Sequence, residues 1–532
     1  MHTTTPSAAL QIEQVTKRFG DTLANHDVSL TLGHGEVLAL LGENGAGKTT
    51  LMNILFGHYT ADSGTVSVDG RVLPSGKPQA AIAAGVGMVH QHFSLARNLS
   101  VMDNILTGTE SLWRWRSNGS QARRKLAAIS ERFDLPVDPD ALVRDLSVGE
   151  QQRVEILKAL YNDARVLILD EPTAVLTNHE ADRLFAILRQ MAANGLSLIF
   201  ISHKLNEVMS ASDRVVVMRA GAVVAERETH STDKAELAEL MVGRRVTRPQ
   251  RTPGKLGSLA LQARSVSVKG RLHDVDFSVR AGEMLGIVGV AGNGQSALGE
   301  LLCGVTRSHS GELELLGERF PQGDVGALVR RGVGRIPEDR GTAGVIGELR
   351  VWENAVLERA ADPEFCRFGI IRQAAGRQYA SRLISEFDVR GGGPGHRARL
   401  LSGGNIQKLI LGRNLSQTPR VLIAAQPSRG LDEGAVAAVH TRLLEARAQG
   451  AAVLLISEDL DEVLLLADRI QAIVRGRLSA PIPSEQADAT QLGLMMAGDW
   501  SSESLASTKS AKPSSTNASS STQSSGDLGH AP

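Results

Sequence analysis

Short unbroken apolar runs alternate along this chain with stretches of helical spacing. Val37–Leu41 is apolar throughout and ends in a glycine-rich loop, after which Thr49–Phe56 reads as a helix. Val166–Leu169 and Leu198–Ile201 are further aliphatic runs, and Ala181–Ala192 between them has helical spacing. A strand that is apolar at every position must be covered on both faces, as in a parallel sheet flanked by helices. The order strand, loop, helix, strand predicts an α/β core with a mostly parallel sheet. The longest apolar stretches, such as Val453–Ile456 and Val463–Ala467, have the size of core elements. None reaches the ~18 residues needed to span a bilayer.

The pattern is written twice, and the repeat governs the fold. HDVSL at 26–30 matches HDVDF at 273–277, and GVGMVHQ at 85–91 matches GVGRIPE at 332–338. LSVGEQQR at 146–153 matches LSGGNIQK at 401–408, and VLILDEPT at 166–173 matches VLIAAQPS at 421–428. LIFISHKL at 198–205 matches VLLISEDL at 453–460, and MVG at 241–243 matches MAG at 496–498. The offset grows from 247 to 255, so the second copy carries about eight extra residues between 340 and 400, a region that reads as helix and loop.

The expected organisation is a flexible start at 1–7, a first domain at 8–245, a linker at 246–257, a second domain at 258–499 and a tail at 500–532. The linker VTRPQRTPGKLG is basic, rich in Pro and Gly, and has no periodicity. The tail is dominated by Ser, Thr, Ala and Gly and cannot bury enough surface to offset ordering entropy, so it is expected to be disordered. With 58 basic and 58 acidic residues the chain is formally neutral, which gives no electrostatic argument for nucleic acid as main partner. Cys303 and Cys366 are the only cysteines and suggest neither a metal cluster nor a disulfide framework. The N-terminal MHTTTPSAALQ lacks the basic-then-apolar order of a secretory signal.

The chemistry begins at Gly42, Glu43, Asn44, Gly45, Ala46, Gly47, Lys48, Thr49 and Thr50. The spacing G-x-x-x-x-G-K-T turns backbone N–H groups toward phosphate oxygens and aims a helix N-terminus at them. Lys48 would neutralise the β- and γ-phosphates, and Thr49 would offer a hydroxyl to Mg²⁺. Asp170 and Glu171 close a strand, where one acid can hold Mg²⁺ through water and the next can deprotonate the attacking water. The plainer reading of such a pair is a helix cap. His203 follows the next strand, within reach of the γ-phosphate; a lone histidine is more often a structural hydrogen-bonder. A Ser-Gly turn opening a helix, at 146–150 and again at 401–405, makes a second anion-binding surface.

Both copies resemble ATP-binding-cassette nucleotide-binding domains, and the fused pair resembles the ATPase subunit of bacterial importers for simple sugars and nucleosides. LSVGEQQRVEILKALY, LDEPTAVLT, IPEDR, LSGGNIQK and AAQPSRGLD are most similar to the purine-nucleoside branch, over residues 8–499. The resemblance implies two tandem P-loop cassettes, each with a mostly parallel sheet core, an antiparallel β portion and a helical signature subdomain. It also implies ATP and Mg²⁺, two integral-membrane permease subunits, an extracytoplasmic substrate-binding protein and a peripheral location on the cytoplasmic face of the inner membrane. No nucleic-acid partner is expected. Such domains close head to tail. Carried onto this chain, Phe19 would stack on adenine (strand packing is the competing role), and Gln91 would sense Mg²⁺ and water. Ser402, Gly403 and Gly404 would meet the phosphate held by Lys48. The rival reading is a soluble tandem cassette acting on ribosomes or nucleic acid; the short linker and the degenerate second copy argue against it.

In the crossed arrangement one site is complete. The other pairs Gln295 and Ser296 with LSVGE, where Val148 replaces a glycine. It also has Ala425 for Asp170, Gln426 for Glu171, Glu458 for His203 and Glu338 for Gln91. It lacks the phosphate cation and the base, so it is expected not to turn over.

Overall fold

The computed structural model describes residues 8–20, 22–90, 93–108, 119–173, 176, 178–243, 249, 251–252 and 254–500. Gln91, the tail from 501 and linker residues 246–248, 250 and 253 lie outside the described residues. The chain forms two compact units. One comprises Met1–Pro249 with Leu400–Lys408 and Ser428–Thr441; the other comprises Gln250–Arg399, Leu409–Pro427 and Arg442–Pro532.

In the first unit, strand Val37–Leu41 lies between Ser197–Ser202 and Arg214–Arg219, parallel to both. Val166–Asp170 pairs in parallel with Ser197–Ser202 and with Val86–Val89, and Ala222–Glu228 closes the edge as an antiparallel hairpin. The apolar runs have their predicted cause. Successive residues of a strand face opposite sides. Leu38, Leu40, Ile168 and Ile199 enter one core cluster, while Ala39, Leu41, Leu169 and Phe200 enter another on the opposite face. The first cluster is roofed by an antiparallel sheet containing Leu10–Phe19, Thr22–Leu32 and Ser63–Val68. The second is covered by helices that include Gly119–Arg132, Val148–Tyr161 and Asn178–Ala193. The helix expected from Ala181 therefore starts slightly earlier, and the one expected from Thr49 begins at Lys48.

The second unit repeats the plan. Its main sheet runs in the order Val333–Ile336, Val421–Ala425, Ala452–Ser457, Met284–Val288, Arg469–Val474 and Arg477–Leu478. Leu259–Val268 pairs antiparallel with Leu272–Arg280 and with Ser310–Leu315. The region between 340 and 400 contains one element that its composition does not announce. Cys366–Arg367 and Ile370–Ile371 form a small antiparallel hairpin ahead of helix Gln373–Glu386.

Candidate functional site

The loop at 42–47 ends in Gly47, the N-cap of helix Lys48–Phe56, with φ +96 and no side-chain cap. The first N–H groups of a helix have no partner within it, so an uncapped helix start is a ready anion site. Only glycine fits here. A Cβ on Gly47 would lie 2.3 Å from the Ala24 carbonyl oxygen and 2.7 Å from Asn25 Nδ2. Lys48 is buried, and its ammonium donates to the carbonyls of Gly42 at 2.7 Å and Glu43 at 3.0 Å. Burial lowers its pKa, opposed by the charges of Glu171 and Asp170. Folded over the loop, this ammonium has weak carbonyl partners that a phosphate would outcompete.

The carboxylates end the strand beside the loop. Asp170 is buried, and desolvation followed by the Glu171 charge raises its pKa, while a hydrogen bond from Thr49 and the charge of Lys48 pull it down. Glu171 takes the opposite direction. Its pKa is lowered, first by a hydrogen bond from His203, against the cost of burial. His203 Nδ1 lies 3.1 Å from Glu171 Oε1. Two adjacent acids thus have opposed environments, a pattern that separates their roles. Glu171 also has φ +47 and donates its N–H to Ile201 O at 3.1 Å. A bulky residue in the left-handed region stores strain, which often marks a working site.

Phe19 stands at the end of its strand, 45% exposed, edge-on to Tyr59 at 5.4 Å. The Lys17 ammonium lies over the ring at 5.3 Å from its centre, and the exposure disfavours simple strand packing. Ser402 is exposed and accepts from Asn405 Nδ2 at 2.8 Å; Gly403 opens helix Gly403–Leu415, and Gly404 follows it in the first turn.

The second copy keeps the shape of this site with other side chains. Gln295 is buried, and its Nε2 donates to Val290 O at 2.8 Å, copying the folded pose of Lys48 without its charge. Ser296 donates to Glu338 Oε2 at 2.9 Å. Gln426 has φ +48 and donates its N–H to Ile456 O at 2.8 Å. Its Oε1 accepts from the N–H of Glu458 at 3.4 Å, so no imidazole–carboxylate pair forms there. In the first copy, Ser147 and Glu150 cap the start of helix Val148–Tyr161 with a capping box.

Two residues of the first site escaped the sequence reading. Asn25, fully buried, donates to Gly47 O at 3.1 Å and supports the loop from below. The repeat alignment held the signal, since Leu272 occupies the matching position before HDV. Tyr59 offered none, because it is paired with Phe19 only in space.

A buried lysine over a glycine loop, with an acid pair at the end of a parallel strand one place removed in the same sheet, defines a P-loop nucleoside triphosphatase. The family model described as ABC transporter matches residues 25–174 and 272–429. The chain belongs to the ABC transporter family and is an ATP hydrolase of that class, with hydrolysis coupled to transport. A nucleoside import ATP-binding protein of Lactococcus lactis is 41% identical over 92% of this chain and 98% of its own length. A guanosine import ATP-binding protein of Bacillus subtilis is 40% identical over 93% and 98%. A glucose import ATP-binding protein of Haloferax volcanii is 40% identical over 92% and 96%. A solved archaeal ribosome recycling factor, in complex with a ribosomal stalk protein, has TM-score 0.59 at 19% identity over 90% of this chain and 92% of its own. That likeness concerns the fold alone. No helix among the described residues is long and apolar enough to cross a membrane.

Proposed function

We propose that this chain powers the import of nucleosides, purines first among them, with ATP turned over at one composite site. The observation that carries the single-site part of this reading is the Glu171–His203 hydrogen bond beside buried Lys48, set against Gln426 and Glu458 in the second copy. Lys48 and the helix N-terminus take the phosphates, and Phe19 stacks on the base. Ser402, Gly403 and Gly404 close the site from the second repeat. This crossing is supported by the membership of Leu400–Lys408 in the same compact unit as the first loop.

The oxygen donors of Thr49 and Asp170, already joined by a hydrogen bond, suit a hard divalent cation. Thr49, Asp170 and Gln91 would hold Mg²⁺, which neutralises phosphate charge when bound. Glu171, kept ionised by His203, takes the proton of the attacking water, and His203 orients that carboxylate. The second site lacks the cation and the base and is silent in turnover.

The subunit acts on the cytoplasmic face of the membrane through two permease subunits, fed by an extracytoplasmic binding protein. The nucleoside assignment rests on the two nucleoside-importing relatives; sugar import is the neighbouring choice. Uptake of labelled purine nucleosides, ribose and galactose in cells with and without this gene tests it. Loss of nucleoside uptake alone supports the assignment, and loss of sugar uptake alone overturns it.

A further inference from the structure

The second unit carries an exposed apolar tip on a rigid base. Arg367 pairs with Ile370 across a two-residue turn, Phe368–Gly369. Both turn residues have positive φ, +51 and +78, the geometry of a tight hairpin turn. Phenylalanine is a poor choice for that position, which glycine, asparagine or aspartate normally fills. Phe368 is nevertheless 90% exposed and Ile370 73% exposed. The base is fixed. Phe365 is fully buried, lies 5.3 Å from the Tyr379 ring and accepts the Arg372 N–H at 2.7 Å.

The charge around the tip is one-sided. Asp362 is paired with Arg359, and Glu364 with Arg359 and Arg382. Arg367 and Arg372 flank the tip with no carboxylate partner among the described residues, and the Arg367 guanidinium lies 5.3 Å from the Phe368 ring centre. We propose that the Arg367–Arg372 hairpin inserts its Phe368 and Ile370 tip into an anionic phospholipid headgroup surface. Two arguments favour lipid over protein. A specific protein interface engages roughly 20–30 residues a side, far more than this tip offers. A bilayer surface needs no complementary pocket and rewards an aromatic wedge flanked by guanidiniums. The proposal rests on the import reading only in that such a subunit works beside a membrane.

Flotation of the full chain with vesicles of phosphatidylcholine, alone or mixed with phosphatidylglycerol, tests it. Binding to the mixed vesicles only, weakened by salt, is expected. Phe368→Ser with Ile370→Ser should weaken it at least about tenfold, and Arg367→Gln or Arg372→Gln about fivefold each. Phe368→Trp should give a blue-shifted emission difference from wild type on mixed vesicles, a readout that does not depend on a weakened variant. No binding by wild type, no blue shift, or unchanged binding by the serine pair would overturn the proposal. So would a serine pair that floats normally yet no longer co-purifies with the permease, which would make the tip a protein contact. Vesicle binding is read without hydrolysis, so its failure leaves the ATPase assignment standing.

Discussion

Ser296 donates to Glu338 at 2.9 Å, at a place in the second copy that matches Thr49 and Gln91 in the first. A carboxylate there adds negative charge beside the phosphate position, where Gln295 supplies no compensating cation. Because this site is proposed not to turn over, Glu338→Gln should leave the ATPase rate of the assembled complex within about twofold of wild type, a change of under about 0.5 kcal/mol in the barrier. Gln295→Lys should not create a second turnover site, because the base is still missing. A doubled rate in steady-state phosphate release would contradict the silent-site assignment.

Removal of the base should separate binding from chemistry. Glu171→Gln should lower ATP hydrolysis by about 10²–10⁴-fold and leave ATP binding intact, measured by equilibrium dialysis beside phosphate release. Substantial residual hydrolysis would mean that another group takes the proton.

The Glu171–His203 bond also sets a pH dependence. The folded pKa of Glu171 is lowered, so its ionised, basic form persists below the ordinary glutamate value of about 4.3. Its contribution to stability is present above the unfolded value and is lost as pH falls through the lowered folded one. His203→Ala removes the largest cause of the lowering. The acid limb of the ATPase profile should then move upward in pH, along with a loss of rate. An unmoved limb would show that the imidazole does not tune the base.

Gly47→Ala tests the loop backbone. The added methyl meets the Ala24 carbonyl at 2.3 Å in a left-handed conformation. A loss of about 2 kcal/mol or more is expected, read as a lowered thermal midpoint, together with loss of ATP binding.

Asn25→Leu installs the residue that stands at the matching position of the second copy. It removes a buried Oδ1 that has no partner and the donor to Gly47 O. These effects oppose one another, so stability should change by no more than about 1 kcal/mol. ATP affinity should fall several-fold by titration calorimetry. A large unfolding effect with unchanged affinity would make Asn25 a core residue only.

The parallel sheet and the loop were legible because Val37–Leu41, Val166–Leu169 and Leu198–Ile201 are apolar at every position, and a two-faced strand requires that. Asp170, Glu171 and His203 stand out by their places at or just after strand ends, and Lys48 by the glycine-loop spacing that opens a helix. The Cys366–Ile371 hairpin was not legible. Two-residue strands have no period to detect, and Phe368 is an unusual residue for its turn. Asn25 looked like one polar position in a strand, and Tyr59 meets Phe19 only after the antiparallel sheet has formed.

The matched backbones at Glu171 and Gln426 have a consequence of their own. Both residues take nearly the same left-handed φ, +47 and +48, and both tie their N–H to the neighbouring strand. Such a conformation costs of order 1–3 kcal/mol, yet it persists where no proton is to be moved. The bend belongs to the architecture shared by the two copies and does not depend on the side chain that stands there. The quiet half is a mould still holding its form, and re-arming it would be a matter of side chains alone.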